Sequence, residues 1–112
     1  MLQIEERDLK LAKLADELKI ENNLIHFLFL IGIHESGEGF KQFTKEEKVE
    51  LIELGSTTLL AKHDYYIPID TESAVPFYVA NPEKQLPETF EKEELLKNEI
   101  VKYLENKLNH HE

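Results

Sequence analysis

Leu24-Ile25-His26-Phe27-Leu28-Phe29-Leu30-Ile31-Gly32-Ile33 is the stretch whose reading decides the fold. Its apolar side chains fall on nearly every face, interrupted only by His26 and Gly32. A membrane span needs about 20 such residues, so this shorter run reads as a buried core segment. Periodicity alone fits either a central helix or a buried strand. Helix is the reading taken, because the flanking segments are helical and no sheet partner of matching length is visible. A helix that is apolar all round belongs at the centre of a bundle. Ser36-Gly37-Glu38-Gly39 ends it, since glycine tolerates the left-handed backbone at a helix C-terminus.

Upstream, residues 4–20 form an amphipathic pattern in which Leu11, Leu14, Ala15 and Leu18 recur at three- and four-residue spacing. Asn22-Asn23 breaks that pattern and supplies an N-cap for the apolar helix. Downstream, Thr44-Lys45-Glu46-Glu47 has capping-box spacing, with hydroxyl and carboxylate each able to reach the other residue's backbone N–H. It opens a third helix over 45–61, with Val49, Ile52, Leu59 and Leu60 on or near the buried side. Gly55 within it costs roughly 1 kcal/mol relative to alanine, which points to close approach of another helix, at Gly32. A break at Gly55 is the alternative. Residues 90–108 give a fourth helix, with Leu96, Ile100, Leu104 and Leu108 in steps of four.

Between the third and fourth helices the character changes. Tyr65-Tyr66-Ile67-Pro68-Ile69, a turn at Asp70-Thr71-Glu72-Ser73, and Val75-Pro76-Phe77-Tyr78-Val79 read as an extended strap, or a short irregular hairpin, laid across the helices. Two prolines argue against an uninterrupted central strand. The fold expectation is therefore a mainly α, four-helix bundle-like single domain over residues 1–112, with an irregular aromatic and proline-rich strap. Asn109-His110-His111-Glu112 reads as a frayed tail.

The 112 residues suffice for one domain that buries roughly two-thirds of its unfolded surface. With 13 Lys and Arg against 23 Asp and Glu, the formal charge of −10 argues against nucleic acid and against anionic membrane surfaces. Zero cysteines exclude disulfides, thiol nucleophiles and cysteine-based metal sites. The acidic start Met1-Leu2-Gln3-Ile4-Glu5-Glu6 lacks the basic-then-apolar pattern of a secretory leader, so the expected address is cytoplasmic, by elimination.

The densest potential chemistry is His34-Glu35-Ser36-Gly37-Glu38-Gly39. His34 and Glu38 one helical turn apart have the spacing of two metal ligands, and Glu35 or Glu38 beside His34 has that of a general base. The Gly37 break and the want of a third ligand favour a plain helix end, where a histidine suits the dipole. His26 reads first as a core histidine hydrogen-bonded to backbone or a tyrosine, and second as a ligand facing a pocket. Ser36 lacks the nucleophile-elbow context, and Gly55-Ser56-Thr57-Thr58 lacks the phosphate-loop glycine and lysine. His63-Asp64 caps or pairs locally. Tyr65, Tyr66, Phe77 and Tyr78 either cover one side of the bundle or line a groove for a peptide or small apolar ligand.

Leu30-Ile31-Gly32-Ile33-His34-Glu35-Ser36-Gly37, followed by Phe43-Thr44-Lys45-Glu46-Glu47-Lys48-Val49-Glu50-Leu51-Ile52 and Tyr65-Tyr66, resembles a small family of uncharacterised, mainly helical bacterial proteins. The resemblance covers about residues 27–66. It departs where that family carries an acidic Gly-Trp-Pro segment, since this chain has Asp70 to Phe77 and no tryptophan. It implies a helical fold and no assigned activity or catalytic residues.

With no catalytic constellation left standing, the expectation is a non-enzymatic interaction module without a cofactor, binding a protein partner or a second copy of itself. The alternative is a small hydrolase or metal-binding protein centred on His34, Glu35 and Glu38. The acidic excess reads as spread over solvated helix faces, a contribution to solubility.

Overall fold

Asn23 settles the helix-or-strand question at the central segment. Its backbone is extended, its side-chain oxygen accepts the His26 N–H at 3.1 Å, and helix α2 runs Leu24–Ser36. Gly37, left-handed at φ 74°, closes it by donating its N–H to the Ile33 and His34 carbonyls. This computed structural model describes residues 2–72 and 75–108. Helix α1, Leu2–Leu18, ends where Lys19 turns left-handed, and α3, Lys45–Ala61, opens on the complete Thr44–Glu47 capping box. Two strands follow, β1 at Tyr66–Ile69 and β2 at Phe77–Ala80, and then α4 at Thr89–Leu108.

Helix α3 passes unbroken through Gly55, and the reason is steric. A Cβ on Gly55 would lie 2.1 Å from the Leu28 carbonyl oxygen, and one on Gly32 would lie 1.9 Å from that of Leu51. Leu28 and Gly32 on α2, and Leu51 and Gly55 on α3, therefore form two reciprocal leucine-to-glycine contacts four residues apart. The backbones of α2 and α3 touch there. Their close seam seats Phe27, Ile31, Leu59 and Leu60 in a core completed by Leu11 and Leu14 of α1 and Leu96, Ile100 and Leu104 of α4. Each such side chain contributes about 1.5–3 kcal/mol by leaving water. Val49, expected near the buried side, is exposed, and Leu51 is buried instead. The side chain of Leu108 and the tail at 109–112 lie outside the described residues.

Arg7, the chain's one arginine, clamps α1 to α4. Its guanidinium is 2.9 Å from Asp8 and from Glu94 and donates to Asn98 at 3.1 Å. A second polar link ties the end of α3 to α4: His63 Nε2 lies 2.8 Å from the buried carboxylate of Glu99, which Lys102 also approaches at 3.4 Å.

The expected all-α bundle with an irregular strap is corrected here. β1 and β2 form a two-stranded antiparallel sheet, so the fold is mixed α/β: four helices and one hairpin packed against α3. Cα partners are Tyr66 with Ala80, Ile67 with Val79, Pro68 with Tyr78, and Ile69 with Phe77. The prolines misled because they argue only against a central strand. A two-stranded ribbon consists of edges, and an edge tolerates a proline whose missing N–H would point outward. Pro68 takes such a strand position, while Pro76 precedes β2. Of the turn expected at Asp70–Ser73, Ser73 lies outside the described residues.

Candidate functional site

Strand residues alternate faces, so the register divides the hairpin into two surfaces. Tyr66, Pro68, Tyr78 and Ala80 share one face, from which the half-buried Tyr66 packs against the core cluster. Ile67, Ile69, Phe77 and Val79 share the other, as two directly opposed apolar pairs. These four are between 39% and 56% exposed. Scattered surface hydrophobics are ordinary, whereas here four large ones are contiguous on one ribbon face.

Phe77 of that face also lines a groove of about 480 Å³ between the hairpin and α3. Phe43, Leu51, Leu54, Pro76 and Phe77 provide apolar walls, and Glu38, Glu47, Glu50 and Glu53 stand along it. Phe43 is fixed edge-on against Phe29, with ring centres 5.7 Å apart. Two of the acids are engaged: Glu47 accepts the Thr44 N–H at 2.8 Å, and Glu38 lies 3.0 Å from Lys41. Glu50 and Glu53 lie one turn apart on α3, where like charges repel. Four of the chain's 23 acids thus stand beside Phe77.

The residues singled out from sequence go to different places. Among the strap aromatics, Phe77 and Tyr78 line the groove, whereas Tyr66 faces the core and Tyr65 lies beneath the Lys84 ammonium, 4.5 Å from the ring centre. His26 is half-exposed at the start of α2, with Nδ1 shielded and 3.6 Å from Glu21, beyond hydrogen-bond reach. It is neither the hydrogen-bonded core histidine expected nor a wall of any groove described here.

His34, Glu35 and Glu38 are drawn apart. The left-handed turn at Gly37 takes Glu38 off the helix toward Lys41. Glu35 turns inward to accept the Tyr103 hydroxyl at 2.5 Å, and the exposed His34 ring meets Tyr103 edge-on, centres 5.9 Å apart. Burial, followed by the hydrogen bond to Glu35, pushes the Tyr103 phenol well above its ordinary range. Among the described residues no three histidine, aspartate or glutamate side chains are grouped to hold a metal ion. His110 and His111 lie outside the described residues. Also among the described residues, no helix is long and apolar enough to cross a membrane.

Sequence reasoning missed Ile67, Ile69 and Val79 as surface residues and Glu50 and Glu53 as groove neighbours of Phe77. The signal was present: Ile67-x-Ile69 and Phe77-x-Val79 alternate with the period of a strand face. No family model matches the chain, and neither does any curated protein or solved structure. The resemblance carried by residues 27–66 is neither supported nor opposed by those comparisons.

Proposed function

We propose that this chain is a cytoplasmic, non-enzymatic protein-interaction module that docks a partner on the outward hairpin face and the groove beside it. One observation carries the reading: Ile67, Ile69, Phe77 and Val79 form an exposed apolar face on a two-stranded ribbon. The neighbouring carboxylates give the partner its chemistry. Glu50 and Glu53 border apolar walls, so the complementary segment alternates basic with apolar side chains. Phe77 belongs to both the face and the groove and is the anchor, in keeping with the weight aromatic residues carry at interfaces.

The test is titration of the labelled protein with a short peptide alternating lysine with leucine or phenylalanine, followed by amide chemical shifts. A control peptide carries glutamate in place of lysine. The expected result is saturable shifts at Leu54, Ile67, Phe77 and Val79 with the basic peptide only, reduced in Phe77→Ala and in the pair Glu50→Lys, Glu53→Lys. Equal response to both peptides, or shifts elsewhere on the molecule, overturns the proposal. So does a concentration-dependent dimer abolished by Ile67→Lys, since a second copy would then cover the face.

A further inference from the structure

Away from the hairpin, a second groove of about 330 Å³ opens between the C-terminal ends of α1, α2 and α4. Leu18, Leu30, Ile33, Phe40, Tyr103 and Leu104 make it predominantly apolar. It shares no lining residue with the groove beside α3. Among the described residues its only ionisable walls besides the Tyr103 phenol are His34 and Lys107. In a chain of 23 acids and 13 lysines and arginines, a concavity whose charged groups are all potential cations is against the grain.

The walls are held firmly. Tyr103 is fixed by its hydroxyl on Glu35 and by the edge-on His34 ring, and the Lys107 ammonium lies 5.4 Å from its ring centre. On the opposite rim the left-handed glycines Gly37 and Gly39 bend the chain so that Phe40 stands over the groove, 78% exposed.

We propose that this groove binds a small amphiphilic carboxylate, its hydrocarbon chain between Leu30, Ile33 and Leu104 and its carboxylate toward Lys107 and His34. An apolar concavity of a few hundred Å³ with a small number of convergent polar groups is the usual form of a small-molecule site. Charge complementarity selects the head group, because among the described residues no carboxylate lines the groove. The chain supplies affinity: about 0.8 kcal/mol per buried methylene corresponds to about fourfold per carbon. This site is independent of the hairpin surface, and either proposal can fail without the other.

The experiment is isothermal titration of the protein with butanoate, hexanoate and octanoate, all below micelle-forming concentrations, and with 1-octanol as the neutral counterpart. The expected result is a Kd tightening about fourfold per added methylene until the groove is full. Octanoate binds more tightly than octanol at low salt, and that preference shrinks as salt screens the head group. Two exposed positions serve as variants, so folding is not at issue. Lys107→Met removes the preference for octanoate over octanol while octanol binding holds, and Phe40→Ala weakens both ligands several-fold. Absence of chain-length dependence, equal binding of octanol and octanoate, or indifference to both variants overturns the proposal. A dimer lost in Phe40→Ala overturns it too, by making a second copy the occupant.

Discussion

Replacing Gly32 with alanine tests the contact that organises the helical core. The added Cβ would lie 1.9 Å from the Leu51 carbonyl oxygen, whereas ordinary contact begins at 3.4 Å, a shortfall of 3.4 − 1.9 = 1.5 Å. The obstacle is backbone, so no rotamer change relieves it, and α2 and α3 must part. Overpacking of this kind costs about 3 kcal/mol at the upper end of its usual range, while alanine's better helix propensity returns about 1 kcal/mol. The net expectation is a loss of at least about 2 kcal/mol. In urea melts with a slope of about 1–2 kcal/mol per molar, the midpoint falls by about 1–2 M at unchanged slope. Gly55→Ala meets the Leu28 oxygen at 2.1 Å and behaves alike. Because one parting of the helices accommodates both methyl groups, the double variant loses clearly less than the sum of the singles. A Gly32→Ala protein as stable as the parent would refute the reasoning, as would full additivity in the double variant.

Two further expectations follow from polar contacts. The Tyr103 phenol is raised by burial and by its bond to Glu35, so the folded state holds its proton more tightly than the unfolded chain. That contribution is complete below the ordinary tyrosine pKa of about 10 and is lost as pH rises above it. Tyr103→Phe should cost about 1 kcal/mol at neutral pH and flatten the alkaline fall in stability, as read from urea midpoints across pH. At the α1–α4 clamp, Arg7→Met should cost about 2 kcal/mol, less than a fully buried pair because Glu94 retains some solvent. A double-mutant cycle with Glu94→Gln should return a coupling of about 1 kcal/mol, and zero coupling would show the pair to be incidental.

Much of the helical framework was legible because its signals are local. The Asn23 cap, the Thr44–Glu47 box and the glycine at 37 each act within one helical turn, and the helices expected at 24–36 and 45–61 lie at Leu24–Ser36 and Lys45–Ala61. Even the approach of Gly32 and Gly55 was readable, as a propensity cost that needed a reason. What it could not show was the register, in which each glycine faces a leucine carbonyl and not the other glycine. The hairpin stood only as the alternative to an irregular strap because proline was weighed as a strand breaker without asking whether the strand had an edge. The site was lost for a related reason. Which face of Tyr66–Ile69 meets α3 depends on its pairing with Phe77–Ala80, a long-range fact. Likewise Glu50 and Glu53 come beside Phe77 only once the hairpin is folded back on α3.

The clamp from Arg7 to Glu94 also fixes an order of assembly. Those residues are 87 apart in the chain, whereas α2 and α3 are joined by residues 37–44 alone. Closing the longer loop costs about 2 kcal/mol more entropy than closing the shorter one, since the cost rises with the logarithm of length. The α2–α3 pair can therefore nucleate on its own short connection, with the hairpin, which follows α3 directly, next to it. Joining α1 to α4 brings the two ends of the chain together and comes last. An α1 that docks last also leaves first, so the earliest opening of the native protein bares the α4 stripe of Leu96, Ile100 and Leu104 while the glycine seam stays shut.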